Sequence, residues 1–246
     1  MALASLATPA DQIAHTREKP FVINLEAVHQ RFDGVPILHD LNCRLEERRI
    51  GVIGANGSGK STFARLINGL ILPSAGQVTV HGRDTRTDGN AVRALVGFVF
   101  QNPEHQIVYP IVEEDVGFGL RNAGMRGADL DAAVSRALAR FDLTAHRNKP
   151  AHLLSGGQKQ LLALAGILAI EPRTIVMDEP TTLLDLRNRR RIGAIIATLA
   201  QQVVLVTHDL DMLADFDRVL VFDGGRIVAD DKPAQAIAHY QALMEE

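Results

Sequence analysis

Three glycines, a lysine and a hydroxyl fall within eight residues, Gly54-Ala55-Asn56-Gly57-Ser58-Gly59-Lys60-Ser61. Glycines let a backbone wrap closely enough for its N–H groups to hold a chain of oxyanions. A helix starting at the end of the loop would aim its positive pole at the same charges. Lys60 could reach the outer oxygens of a polyphosphate, and the Ser61 hydroxyl could ligate Mg²⁺. Further on, the apolar run Ile175-Val176-Met177 ends in Asp178-Glu179. A carboxylate at such a strand end can hold Mg²⁺, as expected of Asp178. The next, Glu179, can polarise a water that attacks phosphorus. His208 follows another apolar run, Val203 to Val206, and could reach the same phosphate. A lone histidine is more often structural, but a shared strand edge would favour function. Between loop and acidic pair lies Leu154-Ser155-Gly156-Gly157-Gln158. It reads as a helix tip capped by Ser155, with glycines exposing backbone N–H groups as a second anion site.

These groups need rigid elements beneath them. Phe21 to Val28 and Ile37 to Arg44 read as an antiparallel pair around the turn Asp33-Gly34. Ile50 to Ile53 is a short strand running into the loop, and Ser61 to Leu70 the helix after it. Gln77 to Val80 and Val96 to Phe100 read as further strands. From Gln101 to about Leu143 the pattern is helical. Asp129 is expected to cap a helix carrying Leu130, Val134, Ala137, Leu138 and Phe141 at helical spacing. Ser155 opens another. Thr174 to Met177 and Val203 to Val206 read as buried strands joined by a helix, a parallel crossover. Asp223-Gly224-Gly225 turns a last hairpin before a C-terminal helix.

The chain has 246 residues, 46% of them hydrophobic, enough for one sizeable core. A net charge of −3 argues against a nucleic-acid partner. The single cysteine, Cys43, excludes an internal disulfide and reads as a packed strand residue. The longest apolar run, Leu161 to Ile170, is about half of what a membrane span needs. Residues 1–20 read as a tail with no secretory signal.

In this order the motifs resemble the ABC-type ATPases, over about residues 21–230. The resemblance implies a P-loop NTPase (RecA-like) α/β core with a mixed sheet, an antiparallel β-hairpin layer and a helical subdomain inserted at about 102–165, all within a domain of 21–246. It implies that Gly54, Asn56, Gly57, Ser58, Gly59, Lys60, Ser61 and Thr62 bind ATP. Mg²⁺ would be held at Ser61, Gln101 and Asp178, and catalysis carried by Glu179, His208 and Gln101. Ser155, Gly156, Gly157 and Gln158 would bind ATP held by a partner copy. Phe32 matches the aromatic that stacks on adenine, although aromatics near turns are often core. Asp185 matches a loop that crosses to the partner, but Thr182-Leu183-Leu184 replaces the family's small residue and glycine there.

The segment Val96 to Leu120 is similar to ATPases of energy-coupling-factor importers. There it implies a groove at Gln101–Asp115 for a membrane scaffold subunit, lined or supported by Pro103, Glu104, Gln106 and Glu113-Glu114-Asp115. The carboxylates also fit a solvated helix start. The short C-terminal region resembles the single ATPase of biotin systems, working as a homodimer on the cytoplasmic face of the membrane. The scaffold would link it to a substrate-binding membrane subunit. Cobalt or nickel import is the runner-up, and a soluble non-transport ATPase the distant alternative.

Overall fold

A computed structural model describes residues 21–245, so the expected tail at 1–20 lies outside the described residues. Strands β1 (Ile23–Phe32) and β2 (Val35–Leu45) form the expected hairpin around Asp33-Gly34. Both run further toward the turn than their apolar patterns predict. The reason is continued pairing around a bulge at Ala27, whose N–H donates to Asn42 Oδ1 at 2.8 Å. With β4 (Ala75–Val80) and β5 (Arg83–Asp84) they make an antiparallel sheet of order β2-β1-β4-β5.

A second, six-stranded sheet holds the centre. Its members are β3 (Arg49–Gly54), β6 (Val96–Val99), β7 (Thr174–Asp178), β8 (Gln202–Val206), β9 (Arg218–Asp223) and β10 (Arg226–Asp231). The order is β10-β9-β3-β8-β7-β6, parallel except for the antiparallel edge strand β10. Among the described residues the helices are α1 (Lys60–Ile67), α2 (Gly89–Leu95), α3 (Val112–Asn122), α4 (Gly127–Arg140), α5 (Gly156–Ala169), α6 (Leu186–Thr198) and α7 (Pro233–Glu245). None is long and apolar enough to cross a membrane.

Successive side chains on a strand point to opposite faces, and both faces of this sheet are covered. Val176, Val204, Val206, Leu220 and Phe222 pack toward α1 and the antiparallel sheet. Their neighbours Ile175, Met177, Val203, Leu205, Val219 and Val221 join the core shared with α3, α4, α5 and α6. That double burial is why the strands read as unbroken apolar runs. Each fully buried side chain of this kind contributes about 1.5–3 kcal/mol. Parallel pairing brings the ends of β3, β6, β7 and β8 to one edge, so the residues after them become neighbours.

Two local expectations are corrected. The helix after the loop stops at Ile67, because Gly69 turns left-handed with φ 70°. Asp129 does not cap α4: the helix starts two residues earlier, at Gly127, leaving Asp129 in the first turn, where its charge still meets the positive helix end. Helix α2 is too short for its periodicity to stand out in the sequence.

Cys43 is a strand residue whose thiol burial pushes up to about 12, an inert thiol as read from the sequence. His81 joins the two sheets. Val22 N–H donates to its Nδ1 at 3.3 Å, so Nε2 carries the proton and donates to Thr174 Oγ1 at 2.8 Å. Thr174 in turn donates to Gln202 Oε1 at 2.9 Å. Burial, and then the charge of Arg173, lower the His81 pKa from the usual 6.5 to about 4. The folded chain therefore binds fewer protons here than the unfolded chain between those values. Stability from this site is full above pH 6.5 and drains as pH falls toward 4. The thermal midpoint of the native chain should accordingly fall more steeply over that window than that of His81→Gln. Parallel profiles in a melting series would refute the assignment.

Candidate functional site

The loop between β3 and α1 is shaped by its glycines. Gly54 has φ 149°, and a Cβ there would stand 2.1 Å from the Phe222 carbonyl oxygen, so only glycine fits. Helix α1 begins without a side-chain cap and without an acidic residue in its first turn. Its first N–H groups and dipole therefore face the loop uncompensated, a setting suited to negative oxygens. Lys60 is 6% exposed, and its ammonium donates to the carbonyls of Gly54 and Ala55 at 2.7 and 2.8 Å. Burial lowers its pKa, countered by the charges of Glu179 and Asp178.

Asp178 ends β7 directly behind the loop, where it accepts from the Ser61 hydroxyl at 2.9 Å. Its carboxyl is raised by burial, which the Ser61 hydrogen bond and Arg65 oppose. These hard oxygen donors fit Mg²⁺, an ion that usually completes its shell with waters and substrate phosphates. No group of three or more His, Cys, Asp or Glu suited to a metal occurs among the described residues.

Glu179 adopts a left-handed φ of 49°, unusual for a non-glycine. Its N–H donates to Val206 O at 2.9 Å, which locks the turned-out conformation to the neighbouring strand. Such strain costs on the order of 1–3 kcal/mol and is concentrated at functional sites. Three donors meet at its Oε2: Thr182 Oγ1 at 2.7 Å, His208 Nδ1 at 3.1 Å and Gln101 Nε2 at 3.4 Å. The other oxygen is left to accept from elsewhere. In this arrangement His208 carries its proton on Nδ1 and presents Nε2 away from the glutamate.

The loop residues Gly54, Asn56, Gly57, Gly59, Lys60, Ser61 and Thr62 line one cavity of about 910 Å³ with Gln101, Glu179, His208 and Phe32. Phe32 is 45% exposed at the tip of β1, so it is not a core aromatic. Ser58 is set apart from its neighbours: its side chain is buried behind the loop, and its carbonyl accepts from Gly225 N–H at 3.2 Å. Four lining residues were not read from the sequence as site residues: Ile37, Thr182, Tyr240 and Met244. The last two belong to α7, almost two hundred positions from the loop, and no local motif marks them.

The helix tip at Ser155 lies outside that cavity. Its capping box is complete, with Gln158 N–H donating to Ser155 Oγ at 3.3 Å and Ser155 N–H to Gln158 Oε1 at 2.9 Å. Gln158 Nε2 also contacts His146 Nε2 at 2.8 Å. Ser155 and Gly156 are exposed, whereas a Cβ on Gly157 would strike Asn188 at 2.5 Å. Asp185 caps α6 by accepting from Asn188 N–H at 2.8 Å. In the divergent stretch before it, Thr182 turns to Glu179, Leu184 is buried and Leu183 is 69% exposed.

Comparisons with known proteins place the chain and its fold in a family. Residues 38–182 match the ABC transporter family. The chain is 56% identical over 223 residues to a protein of Deinococcus radiodurans named as a candidate ABC transporter ATP-binding protein, covering 91% of this chain and 99% of that one. It is 47% identical over 221 residues to the biotin transport ATP-binding protein of Rhizobium etli, covering 90% and 98%. The solved structure of cbiO1 from Clostridium perfringens, part of the ABC transporter complex cbiONQ, superposes with a TM-score of 0.79 at 29% identity, covering 92% and 94%. A phosphate loop, a strained glutamate and a separate serine-glycine helix tip on this fold make the chain a nucleotide-binding, ATP-hydrolysing member of the ABC transporter family.

Proposed function

We propose that the chain is the ATPase subunit of an energy-coupling-factor importer, acting as a head-to-tail homodimer under a membrane scaffold. The observation that carries this reading is the separation of two anion-binding helix tips. Within one chain the Ser155 tip does not line the cavity of the phosphate loop, whereas two copies facing each other would bring the two tips to one nucleotide. Residues 21–246 act as one ATPase domain, with the helices at about 102–165 as its lever.

In this reading the loop N–H groups, Lys60 and the N-terminus of α1 hold the phosphates. Glu179 takes a proton from the attacking water as its oxygen bonds the outer phosphorus and the bond to the leaving phosphate breaks. Gln101 and His208 orient that water and the outer phosphate. Ser61 and Asp178, with Gln101, would hold Mg²⁺, which neutralises charge on the phosphates when bound. The partner's copies of Ser155, Gly156, Gly157 and Gln158 close the site, and Asp185 fixes the crossing loop.

The scaffold is assigned to the surface after Gln101. Here the residues divide into struts and contacts. Glu113 is tied to Arg147, which also meets Asp131. Asp115 accepts from the N–H groups of Val108 and Tyr109 at 2.7 and 3.0 Å. Gln106 accepts from Phe100 N–H at 3.3 Å and donates to Ala163 O of α5 at 2.9 Å. Of these, Asp115 holds Val108 and Tyr109, which with Glu104, Ile107, Pro110 and Lys159 line a groove of about 420 Å³, whereas Glu113 and Gln106 do not line it. The exposed apolar surface beside it comes from Val108, Tyr109 and Leu153. A scaffold helix lying there would pull on Gln101 and α5 together. Its preference for one state of the dimer suffices to couple hydrolysis to transport. Biotin is the favoured cargo because a relative named for biotin transport matches nearly the whole chain. Cobalt is second, because a cobalt import ATP-binding protein is 44% identical over 202 residues.

Glu179→Gln should keep ATP binding and lose turnover by a factor of at least about a hundred. Near-normal phosphate release would remove its assigned role. Lys60→Ala should instead weaken ATP binding. Thr182→Val deletes one hydrogen bond to a charged carboxylate, worth about 1.5–3 kcal/mol. We expect kcat to fall about tenfold or more with KM nearly unchanged, measured by phosphate release; an unaltered kcat would show that Thr182 does not position Glu179.

A further inference from the structure

The ATP cavity has a wall that none of its motifs supplies. Tyr240 and Met244 stand four residues apart on α7, which puts both on one helix face. That face borders the same cavity as the phosphate loop, together with Phe32 and Ile37. Helix α7 is anchored well enough to hold a wall in place. Ala236 is fully buried, and Ile237 and Tyr240 pack against the core that β9 shares with the helices. Met244 is 47% exposed and so is available to a ligand.

A nucleotide held by its phosphates at Gly54–Thr62 must send its base toward the uncharged rim of the cavity. There one aromatic ring, Phe32, can cover only one face of a flat heterocycle. A thioether and a phenol ring suit the remainder: sulfur packs well on aromatic edges, and a phenol combines an apolar body with a hydrogen-bonding tip. We propose that Tyr240 and Met244 complete the base pocket, making α7 a positioning element for the purine of ATP. This inference rests on the reading of the loop as the ATP site. It implies that the base is gripped by both ends of the described chain, β1 and α7.

The test separates base from phosphate by comparing ATP with inorganic triphosphate, which has no base, in calorimetric titrations of the purified chain. Met244→Ala and Tyr240→Ala should each weaken ATP about tenfold, the scale of one lost base contact, and leave triphosphate affinity unchanged. Phe32→Ala should show the same signature. Unchanged ATP affinity in both α7 variants would overturn the proposal. So would an equal loss for both ligands, which would mark α7 as a support for the loop and not a base contact. Because Tyr240 also packs inward, Met244→Ala at the more exposed position decides the matter if Tyr240→Ala fails to fold. Lys60→Ala should weaken both ligands. If it weakens neither, the site assignment itself fails, and this inference with it.

Discussion

A row of phosphate oxygens is well gripped by N–H groups that have no partner of their own. Folded proteins contain few of these, because a buried unpaired N–H is costly. Here they are concentrated where β3 ends and α1 begins, at a helix with no side-chain cap and no acidic first turn. Gly54 makes the close approach to Phe222 possible, and the lysine sits on the loop's own carbonyls. The rest of the fold serves this junction. Parallel pairing of β3 with β8, and of β8 with β7, delivers Asp178, Glu179 and His208 to the same edge without further design.

Glu179 illustrates how backbone and chemistry are joined. An ordinary strand continuation would alternate its side chain back into the sheet. The left-handed turn, secured by Val206, instead swings it over the cavity. Convergence of three donors on one carboxylate oxygen fixes the side chain in the cavity wall and leaves the other oxygen without a partner of its own among them. The cost is local strain, met by the surrounding buried strands.

Much of this was legible in the sequence because double burial leaves an unmistakable mark. Ile175-Val176-Met177 and Val203 to Val206 read as buried strands, and the polar residues at their ends were expected to meet at one edge. The glycine spacing of the loop was equally plain. Other parts were hidden for physical reasons. Thr182 occupies a position where the family pattern predicts something smaller, so it read as a departure and not as a partner of Glu179. Glu113 and Asp115 read either as groove residues or as a solvated helix start, and the fold uses them on Arg147 and on backbone N–H groups. Tyr240 and Met244 are apolar positions on a terminal helix, indistinguishable by pattern from core. Helix α2 is too short to carry a period. Such contacts depend on tertiary proximity, which spacing along the chain does not encode.

The central claim is that nucleotide is clamped between copies, the loop of one facing the helix tip of the other. Cysteines at Asn56 and Ser155, in a chain whose native Cys43 is only partly exposed and has a raised pKa, report that directly. The account predicts a short-arm cross-link between two chains, seen as a dimer on a denaturing gel, that forms with ATP in the Glu179→Gln background and not without nucleotide. Failure of the dimeric product to appear with saturating ATP would contradict it.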